Sequence, residues 1–288
     1  MSAPSAAIRQ PAPGSIESTP LLGLGCSRLG STLGGCSGAD AVRLLHHALD
    51  TGVTLFDTAD IYGQGESELL IGEALRGRRQ GVTIVTKAGQ RFTAAQRAAT
   101  LVKRPLRMLA GMIPSLRRGI AGRRAAPLPR DYSPAHLRRA VEGSLRRLGA
   151  ERIDLYLLHS PSAEDIRRGE AFPMLEELRA AGTIGAWGIS ADDAEAARAA
   201  LRLPELRGLQ LPLAIAEELR PELAAAAAGG VTLLMREIFA GGPRDVASRR
   251  AAMAAALSHP GATALVGTTS AAHLDEALAS ARAVGRAA

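Results

Sequence analysis

Eight short apolar runs recur along the chain, each followed by a stretch of helical periodicity, and this alternation restricts the fold more than any other feature. The runs cover residues 21–25, 53–56, 82–86, 153–158, 184–189, 209–211, 231–235 and 264–266. They lack clean apolar–polar alternation, as expected of strands buried on both faces of a parallel sheet. Helical patterns fall at about 39–51, 66–77, 134–148, 171–181, 192–202, 217–228, 246–258 and 271–284. The third opens on Ser133-Pro134, an N-cap followed by proline at the first helical position. Glycines stand at several helix ends: Gly52, Gly149, Gly182 and Gly229. Aromatic residues make up only 3% of the chain, so the core must be built from Leu, Val, Ile and Ala.

In 288 residues this order predicts an α/β fold, a (β/α)8 TIM barrel with a long basic helical insertion after the third strand. The expected division is a flexible N-terminal arm, 1–20, and a single domain, 21–288, with the insertion at 88–132. A doubly wound open sheet shares the alternation and stays as the alternative. The glycine-rich stretch LGLGCSRLG is not followed by a ribose-binding acid at the expected distance, so it reads as a strand end and turn. The first twenty residues contain no apolar segment of the signal-peptide kind, which leads to the expectation of a cytoplasmic protein. Two cysteines, Cys26 and Cys36, are too few for a disulfide framework or a zinc site.

Polar side chains stand where apolar strands end. Asp57 closes the second run, Tyr62 follows in the next loop, Lys87 closes the third and His159 the fourth. In a barrel those positions face one mouth. Singly, each has a plain structural reading: a cap, a solvated cation, a core histidine. Together they make a proton-donating set. A phenol with a pKa of about 10 releases its proton reluctantly at neutral pH, and a nearby ammonium lowers that value. The aspartate fixes the lysine, and the histidine bonds the substrate oxygen and shares in the relay. Such a set suits an oxygen on which negative charge develops, as on a carbonyl receiving a hydride.

With these residues in view, the sequence resembles the aldo-keto reductases over nearly its whole length. The resemblance is carried by LFDTADIYGQGESELLIGEAL, TIVTKAG, SLRRLGAERIDLYLLHSP, GTIGAWGIS and GTTSAAHLDEA. It implies a barrel without a metal that reduces an aldehyde or ketone with NADPH, NADH being the other cofactor admitted. It further implies Tyr62 as general acid, tuned by Lys87 and Asp57, with His159 positioning the carbonyl. Cofactor contacts are implied at Gly25, Cys26, Ser190, Gln210, Arg236, Gly267, Thr268, Thr269, His273 and Glu276. The asparagine that usually follows the serine is Ala191, and the stacking aromatic is replaced by Leu213. The cation usual beside the adenosine phosphate is missing from Thr268, Thr269 and Ser270. Arg28, Ile61 and Phe92 are candidate walls for a small-molecule carbonyl substrate.

Ten basic residues and no acid lie between 88 and 130, so the net charge of +7 belongs to one segment. The rest of the chain is close to neutral, which argues against nucleic acid as a partner. Within the segment, apolar residues at 102, 106, 109, 113, 116 and 120 alternate with Lys103, Arg104, Arg107, Arg117 and Arg118, an amphipathic basic pattern. Three roles stay open: a lid over the mouth, a surface for anionic membranes or an acidic partner, and a solvated helical pair. A monomer is expected. The competing function is a catalytically weak, reductase-like barrel used for sensing or interaction.

Overall fold

The structure, a computed structural model, describes residues 20–30, 36, 38–92, 128–242 and 245–285. Its strands are β1 (Leu22–Gly25), β2 (Leu55–Asp57), β3 (Thr83–Ala88), β4 (Ile153–His159), β5 (Ile184–Ser190), β6 (Gly208–Pro212), β7 (Thr232–Arg236) and β8 (Ala262–Gly267). All pair in parallel in chain order, and β8 closes back on β1 through Leu22↔Ala264 to Gly25↔Gly267. Closure removes the open-sheet alternative.

Every expected strand is present, and all but β1 run one or two residues past the C-terminal end of the apolar run. Asp57, His159 and Ser190 are the last residues of their strands and Lys87 the last but one. Apolar sequence alone stops short, because the polar side chain that ends the apolar run is still held by the ladder: Thr58 N–H donates to Val85 O at 2.8 Å and Ser160 N–H to Ser190 O at 2.9 Å.

Two helices depart from the expected pattern. The stretch 217–228 forms two helices, Leu213–Glu218 and Arg220–Ala228, broken at Leu219. Pro221, in the first turn of the second helix, has no backbone N–H to bond a carbonyl of the preceding turn, so the first helix does not run through it. A short helix, Ala163–Arg168, was not expected from periodicity. It rests on a reciprocal cap, in which Ser162 Oγ accepts from Asp165 N–H and Asp165 Oδ2 from Ser162 N–H. Six residues are too few for periodicity to show.

The barrel interior is filled by Leu55, Val85, Leu155, Leu157, Ala186, Leu234 and Leu265, and a larger layer packs between strands and helices. Few aromatics are needed because glycines admit the leucines. A Cβ on Gly208 would lie 2.8 Å from a Leu155 methyl. On Gly188 it would lie 1.9 Å from the Gly208 carbonyl oxygen, so β5 and β6 approach as closely as backbone allows. The Trp187 ring stacks on Phe172 at 5.0 Å and its N–H donates to Glu176 at 2.6 Å.

Most of the basic insertion, like the N-terminal arm, lies outside the described residues. Its two ends are joined beside β3: Arg91 N–H donates to Pro129 O at 2.9 Å and Asp131 N–H to Gly89 O at 2.7 Å. Among the described residues no helix is long and apolar enough to cross a membrane.

Replacing Gly188 by alanine should destabilise the fold by about 3 kcal/mol, more than Gly208→Ala, because a backbone oxygen cannot turn aside as a leucine methyl can. Urea unfolding of the two variants checks the order; equal costs would contradict it.

Candidate active site

The strands of a closed barrel deliver their last residues to one rim, and here the register sets them level. His159 pairs with Ser190 across β4–β5, and Ser190 with Gln210 across β5–β6. From there a chain of polar contacts crosses the mouth. Ser190 Oγ donates to Gln210 Oε1 at 2.9 Å, and Gln210 Nε2 donates to Asp57 Oδ1 at 2.8 Å. The same oxygen meets Lys87 Nζ at 2.7 Å, and Lys87 also donates to Thr58 O at 2.8 Å. Lys87 is fully buried and Asp57 nearly so.

Tyr62 opens a short 3-10 turn, Tyr62–Gln64, immediately after this strand end. Its ring centre lies 5.1 Å from Lys87 Nζ, and its edge meets the His159 ring at 5.8 Å and 87°. The four side chains singled out at strand ends therefore do come together. Tyr132, which the sequence did not single out, steadies the group by donating its hydroxyl to His159 O at 2.8 Å.

Burial dominates the electrostatics. It works against the Lys87 ammonium, yet Asp57 and Tyr62 outweigh it and hold Lys87 above its ordinary pKa. Burial raises the Tyr62 phenol, and Lys87 only partly offsets this. That corrects the expectation of a lowered phenol: Tyr62 holds its proton. His159 falls to about 3 through burial, then through the cations Lys87, Arg236 and Arg130. It is a neutral imidazole at physiological pH, a hydrogen-bonding group rather than a charged relay.

Above these residues lies a cavity of about 390 Å³, bordered by Tyr62, His159, Ser190, Gln210, Gly25, Gly267, Arg236 and Arg28. Arg236 spans the mouth, donating to Ala191 O at 3.0 Å and pairing with Asp192 and Glu237. A second cleft of about 140 Å³ shares Gly267 and Phe239 with the first. Thr268, His273 and Glu276 line it. So does Arg249, whose Nε and Nη2 meet Glu276 at 2.7 and 2.9 Å. A cation does line this cleft, carried by the preceding helix, Val246–Leu257. Sequence gave no sign of this, since Arg249 and Arg250 are adjacent and only folding decides which faces the cleft.

Four expected contacts differ. The Cys26 thiol is fully buried in the outer apolar layer and contacts Leu24 O, because side chains of adjacent residues after β1 take opposite sides. Thr269 flanks the second cleft without lining it, its neighbour Thr268 taking that place. Phe92 and Ile61 are half-buried and border neither cavity.

The profile of the Aldo/keto reductase family matches residues 21–219. Among solved structures, PA4992 from Pseudomonas aeruginosa is 32% identical, with 92% of this chain and 90% of that one covered at a TM-score of 0.71. Pyridoxal 4-dehydrogenase of Microbacterium luteolum is 32% identical over 196 residues, 64% of this chain and 56% of that protein. D-threo-aldose 1-dehydrogenase of a Pseudomonas species is 31% identical over 198 residues, 65% and 54% respectively. The chain spans about half the length of the curated relatives it matches.

The depressed pKa of His159 has a fixed sign. The neutral ring is favoured by folding, so its contribution is complete above the unfolded value of about 6.5 and is lost as pH falls toward about 3. Between pH 7 and 4 the wild type should lose on the order of 3 kcal/mol more stability than His159→Gln, at about 1.4 kcal/mol per pKa unit. Denaturant titrations at several pH values measure this; parallel pH profiles would show that the ring is not buried neutral.

Proposed function

Because the chain belongs to the aldo/keto reductase family, we propose that it reduces an aldehyde or ketone of a small molecule to the alcohol, with NADPH as hydride donor. The observation that carries this reading is Tyr62: a phenol kept protonated by burial, held against a buried ammonium, at the edge of a cavity.

The residues present fit a dinucleotide. Two cavities meet at Gly267, which pairs with Gly25 across the β1–β8 seam, and Phe239 borders both. Gly25, Ser190, Gln210 and Arg236 would hold the nicotinamide half; Gly267, Thr268, His273, Glu276 and Arg249 would hold the adenosine half. NADPH supplies the hydride.

This chain's own residues manage the proton. Negative charge grows on the carbonyl oxygen as it is reduced, and Tyr62 O–H donates to it. Lys87 stabilises the phenolate left behind, and Asp57 keeps that ammonium charged in a desolvated site. His159, neutral, orients the carbonyl without competing for the proton. Tyr62 is protonated at neutral pH and so available as the donor, and Lys87 offsets part of the acidity that burial takes from it. Reduction should slow as pH rises through the Tyr62 pKa, since only the protonated phenol donates. The names of the curated relatives, acting on pyridoxal and on aldoses, support a small, hydroxyl-bearing carbonyl compound as substrate.

Tyr62→Phe should lower kcat by about 10²–10⁴-fold, the usual worth of a positioned acid, and leave NADPH binding intact. Steady-state assays against a panel of aldehydes, with fluorescence titration of NADPH, test it; unchanged turnover in the variant rejects the assignment.

Arg249→Gln should weaken NADPH by about 10–100-fold, matching loss of a charged hydrogen bond worth about 1.5–3 kcal/mol, and NADH much less. Parallel titrations decide: equal losses would reduce Arg249 to a support for Glu276.

A further inference from the structure

Behind the loop that carries Tyr62, on the outer side of the barrel wall, lies a second ion pair, half-buried, that the proton transfer does not use. Glu68 is fully buried in the first turn of the helix Glu66–Ala74. Its Oε1 accepts from Thr86 Oγ1 at 2.7 Å and its Oε2 from Arg147 Nε at 2.7 Å. Thr86 precedes Lys87 on β3. Arg147 sits in the last turn of the helix Pro134–Leu148, which leads into β4 and His159. One carboxylate therefore ties together the three elements that bring Tyr62, Lys87 and His159.

The loop between Tyr62 and Glu68 has little side chain to hold it. Gly63 and Gly65 have φ of 59° and 89°, and a Cβ on Gly65 would lie 2.8 Å from Arg147 Cδ, so the loop rests on the arginine stem. Ser67 adds a lateral tie, bonded to Thr58 Oγ1 at 2.8 Å and to Cys26 O at 3.0 Å. Nearby Asp60 is raised to about 8 by burial, then by Glu68, and so stays protonated at neutral pH.

We propose that Glu68 is a positioning residue, whose bonds to Thr86 and Arg147 hold the Tyr62 loop in register with Lys87 and His159 for proton donation. This rests on Tyr62 being the proton donor. A bond that served stability alone would, when broken, loosen the barrel generally and weaken cofactor binding with turnover. A positioning bond lowers kcat selectively, since a misplacement of about 1 Å can cost up to about 100-fold.

Full-length Glu68→Gln keeps the shape and the Thr86 bond but loses the charge facing Arg147. Thr86→Val loses the other bond and decides the matter if the first variant does not fold. Expected in Glu68→Gln are a kcat about ten- to hundred-fold lower, unchanged NADPH affinity and carbonyl KM, and faster amide hydrogen exchange confined to residues 60–65. Thr86→Val should show a smaller change of the same kind. Wild-type kcat and exchange in the folded variants would overturn the proposal. So would exchange that quickens throughout the barrel while cofactor affinity falls with kcat. Exchange is read without substrate, so an inactive wild type would sink the reductase reading, while localised exchange would still decide whether Glu68 holds the loop.

Discussion

The buried contact between Asp57 and Lys87 is what the remainder of the site depends on. An ammonium out of water is costly, and removing one partner of such a pair leaves a buried charge that costs about 3–5 kcal/mol. Here the charge survives because Asp57 Oδ1 lies 2.7 Å away and Thr58 O accepts a second bond at 2.8 Å. The same oxygen of Asp57 takes the Gln210 amide, so the pair is bound into a chain that crosses the mouth to Ser190. A fixed cation in a desolvated place gives Tyr62 a destination for charge, and it helps keep His159 neutral.

Barrel closure makes that contact affordable. Asp57 and Lys87 lie on neighbouring strands, Gln210 and Ser190 on strands opposite, and an open sheet would not return them to one rim. Closure in turn needs interior leucines to interdigitate, which the glycines of β5 and β6 permit by bringing backbone against backbone. Small residues in the wall and charged residues at the rim are thus two parts of one arrangement. The outer layer carries its own ion pair, Glu68 with Arg147, which shares no atom with the mouth yet spans the elements that bear its reacting groups.

The rim was legible in sequence because strand ends in a parallel barrel are marked by chemistry. An apolar run that stops at Asp57, Lys87 or His159 identifies both the strand and the side chain it delivers. Helices were legible where amphipathic periodicity or a cap was long enough to register, as in Pro134–Leu148, and not where six residues and a Ser–Asp cap sufficed. At the second cleft the sequence pointed to the loop after β8, whereas the guanidinium arrives from the helix before that strand.

Sequence alone determined the order of strands, the apolar filling of the wall and the four polar side chains carried to the rim, because each is a local property of spacing and residue type. Tertiary structure decided the charge states: burial overrode the lysine's pull on Tyr62 and left His159 neutral. It also decided which face Cys26 takes and that Arg249 meets Glu276. Desolvation and long-range pairing depend on what the rest of the chain brings within a few ångströms, and no local pattern encodes that distance.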